Sequence, residues 1–162
     1  MKGDLLLIKY NANNIFNKLF VKIISWIMKS KYIHIAVAAD DYDAIIEATP
    51  SGVQQTKNYW VNYNVYRIDD IMEYQIDTAL NFARKQIGDW YDWKALIYLM
   101  WLYVTFQRNK INEWNDKNKW FCSELVASMF RKSGKTLCPN IPDSNTTPAD
   151  IANSKIVHKE EN

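Results

Sequence analysis

The chain has 162 residues, enough for one domain with a real core and few for two. With 48% apolar residues, 23% charged residues and a net charge of +2, it is globular in composition and offers no electrostatic footprint for nucleic acid. Its two cysteines, Cys122 and Cys138, allow one bridge that a chain of this size does not need, so reduced thiols are expected.

Gly3 to Tyr10 reads as a strand, and its apolar run is too short for a secretory signal. Asn11 to Asn14 is a polar break with Asn13 or Asn14 suited to cap a helix. Ile15, Phe16, Leu19, Phe20, Ile23, Ile24, Ile27 and Met28 then fall on one helical face, opposite Lys18, Lys22 and Lys29. Such a face is expected to cover a sheet, and its basic amphipathic character also suits peripheral contact with a membrane. Ile33 to Ala39 is a strand that sets His34, Ala36 and Ala38 on one side. Asp40 to Asp43 is a turn, Ala44 to Thr49 a returning strand, and Val53 to Thr56 and Asn62 to Ile68 are further strands. Links this short predict antiparallel pairing.

The pattern then turns helical. Ala79 to Ile87 fits a helix stopped by Gly88, and a second begins at Asp92 or Trp93 and runs apolar on nearly all sides through Tyr103. Gln107 to Lys119 is a polar surface loop, and Phe121 to Lys132 is a helix with Cys122, Leu125, Val126, Met129 and Phe130 along one stripe. Pro139, Pro142 and Pro148 limit regular structure in the tail. The longest greasy stretch, Ala95 to Phe106, falls short of the roughly 20 residues a spanning helix needs. A single domain over residues 1–162, located in the cytoplasm, is the expectation.

Cys122 opens a helix, where unsatisfied backbone N–H groups favour a thiolate and could receive an oxyanion. It also shares the apolar stripe, so a buried inert thiol is the competing reading. His34 faces small side chains that leave room for a thiol to approach, and His158 lies in a polar tail, which leaves His34 as the candidate base. A core histidine bonded to a carbonyl is the alternative. If the loop between the two strands is residues 40–43, Ala36 faces Glu47 and His34 faces Thr49. Glu47 then lies on the histidine's face, one diagonal step away, where a carboxylate can orient the imidazole. A loop one residue longer or shorter would turn it away.

The segments G-D-L-L-L-I, Y-I-H-I-A-V, I-I-E-A-T-P-S-G-V, I-G-D-W-Y-D and F-C-S-E-L-V occur in that order from Gly3 to about Val126, and T-P-A-D-I follows in the tail. Together they resemble the permuted papain-like NlpC superfamily, in particular its YiiX/YaeF-like proteins. In ordinary members the cysteine helix precedes the histidine strand, whereas here the histidine comes first. The resemblance implies an α+β, circularly permuted papain-like fold whose antiparallel sheet is often barrel-like and is flanked by helices. It implies a nucleophile at Cys122, a base at His34, a polar third residue at Glu47, and pocket residues at Tyr32, Tyr91 and Asp92. Relatives often carry a small serine before the histidine, where this chain has the bulkier Ile33.

The expected activity is a thiol-dependent hydrolase or acyltransferase working through an acyl-thioester on Cys122. Its substrate would be a peptide, another amide or a lipid. A non-catalytic ligand- or membrane-binding module on the same fold is the rival. No cofactor is expected, and two cysteines and two histidines without ligand spacing give no metal site.

Overall fold

The computed structural model describes residues 1–9, 25–27, 30–108, 110–116 and 118–161. Five strands open the chain: β1 (Leu5–Lys9), β2 (Tyr32–Ala38), β3 (Ala44–Thr49), β4 (Gly52–Lys57) and β5 (Tyr63–Ile68). Helix α1 (Glu73–Arg84), β6 (Trp90–Tyr91), α2 (Trp93–Val104), β7 (Lys119–Trp120) and α3 (Cys122–Lys132) follow. A short 3-10 turn (Asp143–Asn145), α4 (Pro148–Ala152) and β8 (Val157–Lys159) close it. The helix expected over residues 15–28 lies outside the described residues, except for 25–27, which are helical.

The main sheet has the order β4-β3-β2-β1-β5-β8, and each of its pairings is antiparallel. Leu5, Leu7, Ile35, Val37 and Ile46 point to one face, where Leu80 of α1 and Leu125, Met129 and Phe130 of α3 bury them. Leu6, Ile8, Ala36 and Ile45 point to the other face, where Trp60 and Tyr63 pack on them. Period-two strands and period-3.6 helices therefore meet as an α+β arrangement.

The sheet does not close into a barrel, which corrects the barrel-like expectation. Edge strand β4 gives its outer hydrogen bonds to a loop instead of to β8: Val53 N–H donates to Asp89 O at 2.9 Å, and Gly88 N–H donates to Val53 O at 3.0 Å. Gly52 allows that contact. It sits at φ +107°, and a Cβ there would lie 2.5 Å from Asp89 O.

Element ends differ from expectation where side-chain capping decides them. Helix α1 begins at Glu73, before the apolar periodicity does, because Gln75 reaches back to accept from Met72 N–H at 3.1 Å. It ends at Arg84, short of Gly88, whose positive φ serves the Val53 contact. In the tail, Thr147 Oγ1 caps α4 by accepting from Asp150 N–H at 3.2 Å, and β8 adds a strand that the proline-rich composition concealed.

Phe130 is fully buried between helix and sheet, so Phe130→Ala is expected to destabilise by about 3–5 kcal/mol. Phe106 is 94% exposed, so Phe106→Ala should stay within about 0.5 kcal/mol of wild type. Urea unfolding midpoints measure both.

Candidate active site

The site begins with a parting between two strands. The β2/β3 ladder contains Val37↔Ile46 and Ala38↔Ile45, the register a four-residue turn dictates, and goes no further. In β2, Ala38 N–H donates toward β1, to Asp4 O, while Ala39 N–H donates toward β3, to Ala44 O. Amide direction alternates along a strand, so Ile35 N–H also points toward β3. There it meets the sulfur of Cys122 and donates to it. The opened ladder thus lets a helix tip take the place of a strand.

Helix α3 supplies that tip. Phe121 is its N-cap, with extended backbone, and Cys122 is its first helical residue. Ser123 N–H also faces the sulfur, and Ser123 Oγ anchors the turn by donating to Thr146 O at 2.7 Å. Two aimed amides and the positive end of the helix favour negative charge at this atom.

The His34 imidazole forms a hydrogen bond with the Cys122 sulfur on one side and reaches Glu47 on the other. Nε2 lies 2.7 Å from Glu47 Oε2, and a carboxylate can only accept, so Nε2–H is the donor. The remaining nitrogen, Nδ1, is therefore the one that faces sulfur. Glu47 has no solvent exposure and accepts three more bonds: from Trp60 Nε1 at 3.0 Å, Tyr59 Oη at 2.8 Å and Gln54 Nε2 at 3.1 Å. The Trp60 ring also leans on His34, with centroids 5.2 Å apart.

These contacts set the titration of the three groups. Burial pushes His34 down, but the Cys122 charge and hydrogen bond, followed by those of Glu47, lift it to about 10. Burial pushes Glu47 up, and the hydrogen bond and charge of His34, with Tyr59 and Trp60, bring it down to about 2. Burial likewise pushes the Cys122 thiol up, yet the His34 charge and hydrogen bond and the two amides hold it below its ordinary value. Cys138 lacks such partners: burial, then the charges of Asp150 and Asp143, push its thiol up to about 12.

Of the residues expected to line a pocket, Tyr91 packs against the core cluster that holds Cys122 and feels its charge. Burial, then the charges of Cys122, Asp92 and Glu124, raise its hydroxyl well above the ordinary range. Asp92 lines a cavity with Lys94, Trp114 and Asp116 and is also a structural cap. Oδ1 accepts from Ala95 N–H and Oδ2 from Asp116 N–H, each at 2.9 Å, which commits both oxygens to the backbone. Tyr32 is turned to the helix-covered face by a bulge, since Ile8 pairs with His34 but Lys9 pairs with Tyr32. It is buried in the core there, and its hydroxyl bonds Tyr66 Oη at 2.8 Å and Asn64 Nδ2 at 2.7 Å.

Gln54, Tyr59 and Trp60 escaped the sequence reading. The register of the Pro50-Ser51 hairpin could have placed Gln54 opposite Glu47; nothing local marks Tyr59 or Trp60. The I-G-D-W-Y-D segment acts as a clamp. Asp89 O accepts from β4, Asp89 Oδ2 accepts from Trp120 Nε1 at 3.0 Å, and β6 pairs in parallel with β7 just ahead of Cys122.

The chain that builds this site matches a known family. Residues 1–160 match the family described as permuted papain-like amidase enzyme, YaeF/YiiX, C92 family. The chain belongs to that family. The chain is also similar to the probable lipoprotein peptidase YaeF of Escherichia coli (strain K12). It is 25% identical over 151 residues, which cover 76% of this chain and 54% of YaeF. The chain thus spans about half the length of this curated relative of the permuted papain-like amidases. No helix among the described residues is long and apolar enough to cross a membrane.

The unlike surroundings of the two buried thiols give a direct test. Iodoacetamide at mildly acidic pH is expected to label Cys122 well before Cys138, as located by peptide mass spectrometry. Equal labelling of both would contradict the charge environment described for Cys122.

Proposed function

We propose that the protein is a cysteine hydrolase of amide bonds in peptides or related molecules. The observation that carries this reading is the continuous chain from the Cys122 sulfur through the His34 ring to the buried Glu47 carboxylate. The resting pair is a thiolate and an imidazolium, and the proton moves as one coupled system. The thiolate attacks the substrate carbonyl, and the new oxyanion is received by backbone N–H groups at the tip of α3. Nδ1–H of His34 protonates the departing amine, so the C–N bond breaks and an acyl-thioester remains on Cys122. Neutral His34 then takes a proton from water as that water attacks the thioester. The acid leaves, and the thiolate and imidazolium return.

Glu47 orients the ring and stabilises its positive charge without accepting the proton, since its own titration lies near 2. The family description and the YaeF likeness support an amide or peptide as substrate.

Cys122→Ala is expected to melt at the wild-type temperature and to show no turnover on a panel of amide substrates. His34→Ala should lose about 10²–10⁴-fold in kcat. Turnover near wild type in either variant would refute the mechanism.

The pH profile should be broad, because the ion pair persists from below the ordinary thiol range up to about 10. On the acid side the thiolate gains a proton, and on the alkaline side His34 loses the proton the leaving amine needs. Glu47→Gln removes the charge that helps hold the imidazolium, so the alkaline limb of kcat/KM should move to lower pH. An unmoved limb in that variant would exclude Glu47 as the stabilising group.

A further inference from the structure

Two torsions beside the Cys122 sulfur are soft. The last bond of a glutamate side chain and the ring torsion of a histidine lie in broad wells, so neither Glu47 nor His34 fixes the plane of its own polar group. The proposed chemistry needs both planes fixed, because a rotated imidazole no longer aims one nitrogen at sulfur and the other at the carboxylate. The restraint has to come from a third side chain.

Trp60 touches both groups. Its Nε1–H donates to Glu47 Oε2 at 3.0 Å, the same oxygen that lies 2.7 Å from His34 Nε2. Its ring leans on the imidazole, with centroids 5.2 Å apart and planes inclined at 43°. Tyr59 and Gln54 hold only the other oxygen, Oε1. Without the indole N–H, Oε2 would be held only by the imidazole that it has to orient.

The indole is itself firmly placed. It packs on Leu6, Ile8, Ala36 and Ile45 and stacks on Tyr59 with centroids 4.9 Å apart. Its backbone N–H donates to Asn58 Oδ1 at 3.0 Å, and Asn58 N–H donates to Asp43 O at 2.6 Å. At the other end of this loop, Asn62 O accepts from Lys9 N–H at 2.9 Å. The loop that carries Trp60 is thus tied to the β2–β3 turn and to β1.

We infer that Trp60 is a positioning residue: its indole sets the Glu47 carboxylate and the His34 ring in mutual register and so holds the thiolate–imidazolium pair. The inference rests on the cysteine-hydrolase reading and extends it to a side chain outside the chain from Cys122 to Glu47. The charged groups that act on His34 are Cys122 from α3 and Glu47 from β3, and Tyr59 is the other titratable group bonded to Glu47. Trp60 carries no charge, so its loss acts through the placement of Glu47 and not through a titration of its own.

The test is Trp60→Phe, which keeps an aromatic ring against His34 and removes the N–H. Alkylation of Cys122 by iodoacetamide at mildly acidic pH should slow about tenfold, since less of the pair rests as thiolate and imidazolium. On the amide panel kcat should fall by a similar factor with KM little changed, and the alkaline limb of kcat/KM should move to lower pH, as in Glu47→Gln. In a Glu47→Gln background the same substitution should change each quantity by less than about twofold, because the group it positions is already gone. Should Trp60→Phe not fold, 3-benzothienylalanine at position 60 keeps the indole shape without the donor and is measured in the same way. Unchanged alkylation, kcat and limb in the folded variant, while Glu47→Gln shifts them, would overturn the inference. So would an equal loss in both backgrounds, which makes Trp60 independent of Glu47. A silent Glu47→Gln would instead overturn the role given to Glu47, and the inference with it.

Discussion

A carboxylate removed from water must be neutralised and fully hydrogen-bonded, and much of this molecule is arranged to do that for Glu47. Its two oxygens receive His34, Trp60, Tyr59 and Gln54, which fills the acceptor positions a carboxylate offers. Those four donors come from three elements: β2, β4 and the loop ahead of β5. The charge is balanced by the imidazolium, and the imidazolium in turn by the Cys122 sulfur. Loss of His34 would leave the buried Glu47 carboxylate without its countercharge.

The second constraint is spatial. For a helix tip to reach the imidazole, the sheet must open, and it opens where the β2/β3 ladder stops after Val37↔Ile46. The Ile35 amide, left without a strand partner, donates to sulfur, so the interruption creates no orphaned donor. On the far side of the tip, the Asp89–Tyr91 clamp ties β4 to Trp120 and fixes where α3 begins. Asp92 belongs to this scaffold, since its carboxylate starts α2 and holds the loop at Asp116.

Position on the fold also separates two cysteines that composition treats alike. Both are buried, but Cys122 sits at the positive end of a helix beside a histidine, while Cys138 has acidic neighbours.

The sequence alone determined what local periodicity and turn length control. Alternation in β2 sided His34 with Ala36, a four-residue turn set the register that carries Glu47 to the same face, and a polar loop before an apolar stripe placed Cys122 at a helix start. Only the tertiary structure decided what depends on distant partners. The bulge that turns Tyr32 away, the loop that occupies the edge of β4 and keeps the sheet open, and the commitment of Asp92 to capping all follow from hydrogen bonds between remote segments. Tyr59 and Trp60 reach Glu47 for the same reason. A side chain's role there is fixed by which unsatisfied group the fold brings to it, and no window of neighbouring residues contains that information.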